Sequence, residues 1–242
     1  MTNAGVAKGL WWLGLVVAPV VLISIELFHP SHFTGVEQGV YEFLSHAEHD
    51  PRYYALAYPG PDWWFVMHMI QTPLVGLVAV GLWLLVGKIG DNDGAAAVAL
   101  AWLSRAATFV FLIYYTALDT IGGTGLGRLI YHTQHSNLTT EQIAFVARVL
   151  NATWIDPWVG GVGSFFSLAG SWAVFIACMF AAAALLLAKK MWWAPLVVLL
   201  AFGWELQESH ASPNGPIAFG LLIVAALWMW WSDRRAAQRT PG

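Results

Sequence analysis

Six stretches of this chain are long and apolar enough to cross a lipid bilayer. A membrane-spanning helix needs about 20 mostly apolar residues, and here 58% of the 242 residues are hydrophobic while only 10% are charged. The stretches lie approximately at residues 10–29, 62–87, 96–121, 158–188, 191–209 and 214–232. The sequence therefore predicts an all-α integral membrane protein, in which residues 1–242 form one polytopic domain with six transmembrane helices.

The positive charges lie mainly on one side of this predicted bundle. With the N-terminus in the cytoplasm, eight of the eleven Lys and Arg residues fall on the cytoplasmic side, where positive loops are favoured. We therefore expect both termini in the cytoplasm, as in a bacterial-type cytoplasmic membrane, and two long loops, roughly 30–61 and 122–157, on the outer side. Trp pairs at the span ends, such as Trp63 and Trp64, are typical of anchors at the membrane interface.

Each outer loop contains the spacing of a helix capping box. Thr34 stands three residues before Glu37, and Thr139 three residues before Gln142, with apolar residues following at helical spacing. We expect two interfacial amphipathic helices, one in each loop. The glycine-rich run at 122–127 lacks the preceding strand of a nucleotide-binding loop, so we predict no nucleotide and interpret the run as a flexible turn.

Composition also excludes several classes of cofactor and partner. A net charge of −3 gives no basic surface for nucleic acid. The single cysteine, Cys178, provides neither a disulfide framework nor a thiolate metal cluster. Retinal is excluded because all the lysines lie at the inner ends of the spans, so none is available for a Schiff base in the membrane. These lysines are Lys8, Lys88, Lys189 and Lys190.

The eight histidines all fall in the outer half of the predicted topology. Most belong to the outer loops, but His68 lies inside a span. Glu26 precedes His29 by three residues, and Glu205 and Glu208, themselves three apart, come just before His210. Acids and imidazoles within a membrane normally face a bundle interior or a cavity. The sequence therefore predicts a His/Glu site at the extracytoplasmic helix ends. Its candidate ligands are Glu26, His29, His68, Glu205, Glu208 and His210.

Further polar residues are expected around these ligands. Gln71 follows His68 by three residues, and Tyr115 and Asp119 share a helix face near the outer end of the third span. His132 and His135, in the second outer loop, are additional candidate ligands.

This residue set points to metal chemistry. Carboxylate and neutral imidazole ligands suit iron, copper or zinc, and a haem b held by one or two imidazoles is an alternative. We favour iron or copper, with zinc as a further candidate. The expected function is redox, as electron transfer or as a membrane metal-dependent oxidoreductase. Such an oxidase or oxygenase would act on a lipid-soluble substrate that enters from the bilayer.

Two other interpretations stay open at this point. The polar groups could form a pathway for protons or a small solute, although the inner half of the bundle offers only Arg105 and a few Ser and Thr residues. Alternatively, the chain could be an accessory subunit of a larger membrane complex, in which these groups form a structural polar network between helices.

Overall fold

The computed structural model describes residues 3–30, 39–45 and 59–239, and contains no strand in those ranges. The helices, in chain order, are α1 (Asn3–Trp12), α2 (Ala18–Glu26), α3 (Gly39–Ser45), α4 (Pro61–Leu85), α5 (Ala95–Leu118), α6 (Leu126–Gln134), α7 (Thr140–Trp154), α8 (Phe165–Leu187), α9 (Trp193–Glu208) and α10 (Asn214–Arg239). A π-helical turn, Leu13–Val17, joins α1 to α2, and a second π-helical stretch, Asp119–Gly125, joins α5 to α6.

Within the described residues, five helical segments are long and apolar enough to cross a membrane. These segments are Ala4–Glu26, Pro61–Leu85, Ala95–Gln134, Phe165–Leu187 and Asn214–Arg235. The protein is therefore a multi-pass membrane protein with a helical bundle. The predicted span at 191–209 is also helical, but α9 has only 16 residues and is about 24 Å long, which is shorter than a typical hydrocarbon core.

The interpretation of the glycine-rich run as a flexible turn is wrong. Helix α5, the π-helical stretch and α6 form one continuous helical segment of 40 residues, Ala95–Gln134. The reason is a close tertiary contact with α4, where a Cβ atom added to Gly123 would lie 2.1 Å from the ring of His68. A Cβ atom added to Gly127 would lie 2.8 Å from the ring of Trp64. These glycines permit helix packing rather than a change of chain direction.

A second pair of glycines brings the first span against α4. A Cβ atom on Gly14 would lie 2.3 Å from the carbonyl oxygen of Leu77, and one on Gly81 would lie 2.7 Å from Leu15. Small residues of this kind let the backbones of membrane helices approach closely. The two contacts hold the first span against α4, and α4 also packs against the long α5–α6 segment.

Both helices expected in the outer loops have counterparts in the structure. The Thr139–Gln142 capping box is confirmed at the start of α7, with the Thr139 Oγ1 atom accepting from the Gln142 amide at 3.3 Å. The spacing from Thr34 to Glu37 lies outside the described residues. Helix α3 packs on α7, and the Tyr41 amide donates to the Asn151 Oδ1 atom at 3.1 Å. The position of either helix at the membrane surface stays a prediction.

At one end of the bundle, ion pairs link the connections between the helices. Lys190 pairs with Asp93 at 2.8 Å, which joins the α8–α9 turn to the α4–α5 connection. Lys88 of that connection pairs in turn with Asp233 near the end of α10. The opposite end, where α2 and α9 finish and α4 and α10 begin, contains the histidines described next.

Candidate metal centre

Three imidazoles from three separate parts of the chain converge at this end of the bundle. His29 lies in the turn after α2, His68 in the second turn of α4, and His210 in the connection between α9 and α10. Their candidate ligand nitrogens all lie within 4.8 Å of one another. The ring centroid of His29 is 4.8 Å from that of His210 and 5.4 Å from that of His68. Parts of the chain that are distant in sequence thus bring three imidazoles close together.

Backbone carbonyls fix the tautomer of two of these rings. The Nδ1 atom of His68 is 2.7 Å from the carbonyl oxygen of Trp64, and the Nδ1 atom of His29 is 2.7 Å from that of Pro30. A carbonyl can only accept, so each ring donates through Nδ1–H. A neutral imidazole in this form has its lone pair on Nε2. Histidines that bind metals are commonly oriented by this kind of hydrogen bond.

Two residues pack closely against His68. The Trp64 ring lies with its centroid 4.4 Å from that of His68. Gly123 of the π-helical stretch also contacts the imidazole, and its lack of a side chain makes room for the ring. The Trp64 Nε1 atom donates a hydrogen bond to the carbonyl oxygen of Gly122 at 3.1 Å, which holds the tryptophan against the π-helical stretch. π-Helical insertions occur frequently at functional sites.

The three imidazoles line a cavity of about 370 Å³. Its polar wall includes Asp119 and Glu208, and its apolar wall includes Trp154, Val162 and Leu168. The side chains of Val162 and Leu168 are 58% and 48% exposed, so the cavity extends to the surface of the protein near the start of α8.

Burial favours the neutral form of the two histidines that lie outside the spans. Burial, together with a smaller contribution from the nearby His68, lowers the pKa of His210 to about 3. Burial also holds the pKa of His29 well below its ordinary value, with His210 and His68 contributing in the same direction. Neutral imidazole is the form that coordinates a metal ion.

The acidic residues predicted as ligands occupy different positions. Glu26 is fully buried one turn before His29, and Glu208 is an exposed residue on the cavity wall. Glu205 accepts a hydrogen bond from the Nδ2 atom of Asn214 at 3.0 Å through its Oε2 atom. None of the three belongs to the convergent group, which consists of histidines.

The additional candidates His132 and His135 lie on and just after α6 and are both exposed. His135 stacks on Tyr131 with 4.1 Å between ring centroids, and its Nδ1 atom is 2.9 Å from the carbonyl oxygen of Tyr131. Neither histidine lines the cavity. The structure therefore does not bring them to the site.

The polar residues predicted around the ligands are deeply buried. Gln71, Tyr115 and Asp119 are each 1% exposed. Asp119 lines the cavity, and the ring of Tyr115 lies 5.6 Å from that of His210 between centroids. These residues form a polar layer next to the imidazoles.

Sequence reasoning missed Trp64 and Gly123, which shape the site. Trp64 is only 2% exposed, so its interpretation as an interface anchor is wrong. It lies four residues before His68, a spacing that places both side chains on one helix face. The glycine-rich run was a visible signal as well, but its meaning depends on which helix packs against it.

No family model matches the chain, and neither the curated proteins nor the solved structures give a match. The functional argument therefore rests on the geometry and chemistry of the site.

Proposed function

We propose that this protein is an integral-membrane metalloprotein that binds one metal ion through His29, His68 and His210. The observation that carries the proposal is the convergence of three ligand nitrogens within 4.8 Å. Imidazoles bound to one ion at about 2.0–2.1 Å have nitrogens roughly 3.3 Å apart. Binding of an ion would draw the three nitrogens together to that separation.

Three convergent imidazoles favour a bare ion over haem b. A haem iron has only two axial positions, so one of the three histidines would have no role as a ligand. The edge-to-face contacts of His29 with both other rings also leave little space for a porphyrin beside it. Imidazole ligands suit copper, iron and zinc, and among these we favour iron or copper.

The role that we propose is redox. Three protein ligands would leave a coordination position open, as is usual in catalytic metal sites, and the cavity that the three imidazoles line would give a substrate room beside the ion. The exposed side chains of Val162 and Leu168 at the cavity wall suit a lipid-soluble substrate that enters from the bilayer. The carboxyl group of Glu208 lines the same cavity, where it would exchange protons with a bound substrate.

A site explains the distribution of polar groups better than a pathway does. In the half of the bundle towards the lysines, the buried polar side chains of the described residues are Ser104 and Thr108, which both donate to backbone carbonyls. No buried carboxylate or imidazole occurs there in the described ranges. A route for protons or a solute across the whole membrane would need such groups in both halves.

The test is the metal content of the detergent-purified protein, prepared without a polyhistidine tag. We expect about one iron or copper ion per chain. Chelation should lower the melting temperature, since a ligand at 100 times its dissociation constant stabilises the folded state by about 2.7 kcal/mol. Stoichiometric zinc would retain the site but contradict the redox role. A protein that carries no metal, and takes up none of the three ions when they are supplied, would contradict the proposal itself.

We also propose that all six predicted spans cross the membrane, including α9, with both termini and the lysine-rich end in the cytoplasm. A cysteine placed at the exposed Asn137 should then react with a membrane-impermeant maleimide in intact cells, whereas one at the exposed Asn92 should react only after lysis. The native Cys178 is buried and gives no background. The reverse pattern of labelling would overturn the proposed orientation.

A further inference from the structure

We propose that a second cation site, made of oxygen ligands, lies beside the three histidines in the polar layer of Glu26, Gln71, Tyr115 and Asp119. Its two carboxylates suit a hard divalent cation such as Ca²⁺ or Mg²⁺. This inference is independent of the proposed transition-metal site, because it depends on other side chains and on a different ligand chemistry.

The first observation is that these four side chains are buried without partners. Glu26 is 0% exposed and the other three are 1% exposed. Both carboxylate oxygens of Glu26 and of Asp119, both amide atoms of Gln71 and the hydroxyl of Tyr115 have no hydrogen-bond partner within the described part of the chain. Unpaired buried polar groups are costly, about 1–3 kcal/mol each, so this many in one region favours the binding of a ligand there.

The second observation is their common position. Glu26 lies one turn before His29 on the first span, and Gln71 one turn after His68 on α4. Tyr115 and Asp119 lie one turn apart at the end of α5. The carboxyl group of Glu26 interacts electrostatically with that of Asp119, and the hydroxyl of Tyr115 with both. Asp119 also lines the open cavity, which gives an ion a route to the layer.

Charge balance decides the class of ligand. Ionised carboxylates inside a membrane are stable only when they are paired, and the ion pairs formed by Lys residues in the described ranges are with Asp93 and Asp233 at the other end of the bundle. Protonation alone would remove the charge but leave the amide of Gln71 without partners. A divalent cation neutralises both carboxylates and accepts further oxygen ligands from the amide, the phenol and water.

Oxygen ligands separate this site from the three-histidine site. Carboxylate, carbonyl and water oxygens suit Ca²⁺, Mg²⁺ and Mn²⁺, whereas imidazoles suit copper, iron and zinc. Ca²⁺ accepts six to eight ligands in flexible geometry, so water entering from the cavity can complete its coordination. The two sites would therefore load with different ions.

The test is equilibrium dialysis of the purified protein with Ca²⁺ and, separately, with Mg²⁺. We expect one Ca²⁺ or Mg²⁺ per chain in the wild type and in His68→Ala. Glu26→Gln and Asp119→Asn should weaken this binding roughly ten-fold or more, since affinity follows the number of charged ligands, while both variants keep their transition metal. Glu141→Gln, which changes an exposed acid on α7, is the matched control and should bind as the wild type does.

A second measurement guards against variants that fold poorly. The melting temperature of the wild type and of Glu141→Gln should rise with added Ca²⁺ or Mg²⁺, and that of Asp119→Asn should not. The proposal is overturned if neither ion binds the wild type at millimolar concentration. Equal binding by Glu26→Gln, Asp119→Asn and the wild type would overturn it too, and water would then be the partner of the polar layer.

Discussion

Replacing His68 by alanine is expected to abolish metal binding while the helical bundle stays folded. The substitution leaves two imidazoles at a site built from three, and loss of a residue that merely supports a ligand already costs about 10–100-fold in metal affinity. We expect at least the upper end of that range for a ligand itself. Metal analysis of the purified variant measures the effect, and circular dichroism with size-exclusion chromatography verifies folding.

His135→Ala is the matched control for this experiment. His135 is exposed, stacks on Tyr131 and does not line the cavity, so its removal should leave the metal content unchanged. Replacement of His29 or His210 should resemble replacement of His68. If the His68 variant retained its metal, or if His135→Ala lost as much, the three-histidine assignment would be wrong.

Gly123→Ala is expected to disable the same site without changing any ligand. The added Cβ atom would lie 2.1 Å from Cδ2 and 2.2 Å from Cγ of His68. The imidazole must then rotate away and lose its hydrogen bond to the carbonyl oxygen of Trp64. Overpacking of this kind costs about 1–3 kcal/mol in stability, and displacement of the ligand should reduce metal affinity by roughly 10–100-fold.

Gly76→Ala on α4 separates this steric effect from the general effect of adding a methyl group to a helix. The nearest atom to its new Cβ would be Leu112 Cδ1 at 3.8 Å, an ordinary contact, and alanine favours a helix over glycine by up to about 1 kcal/mol. This variant should keep its metal and be at least as stable as the wild type. Wild-type affinity in Gly123→Ala would show that the close packing does not position His68.

The sequence was sufficient to predict the bundle and the end at which its site lies. Apolar length alone located the five segments that are long enough to cross a membrane, and the alternation of the predicted spans placed His29, His68 and His210 at the same end. Their convergence needed no knowledge of helix rotation, because His29 and His210 come directly after helix ends. This is why the grouping of these three histidines was predictable.

The parts that sequence reasoning missed depend on which surfaces meet. Helical periodicity cannot show which face of α6 packs inward, so exposed His132 and His135 remained candidates. Glycines favour turns in isolation, and only the contact of Gly123 with α4 explains why the helix continues. Trp64 resembled an anchor because tryptophan favours the membrane interface, whereas the structure buries it beside two imidazoles.

The π-helical stretch Asp119–Gly125 determines how far the residues of α6 are rotated about the helix axis relative to those of α5. A π-helical turn holds an extra residue relative to an α-helix, and each residue of an α-helix turns the chain by about 100°. Asp119 can therefore face the cavity while Gly123 and Gly127 press against α4. Loss of one residue from this stretch would rotate α6 about its axis, so that Asp119 and the glycines that contact α4 could no longer both keep their positions. This part of the chain should therefore tolerate changes of length far less than an ordinary connecting loop.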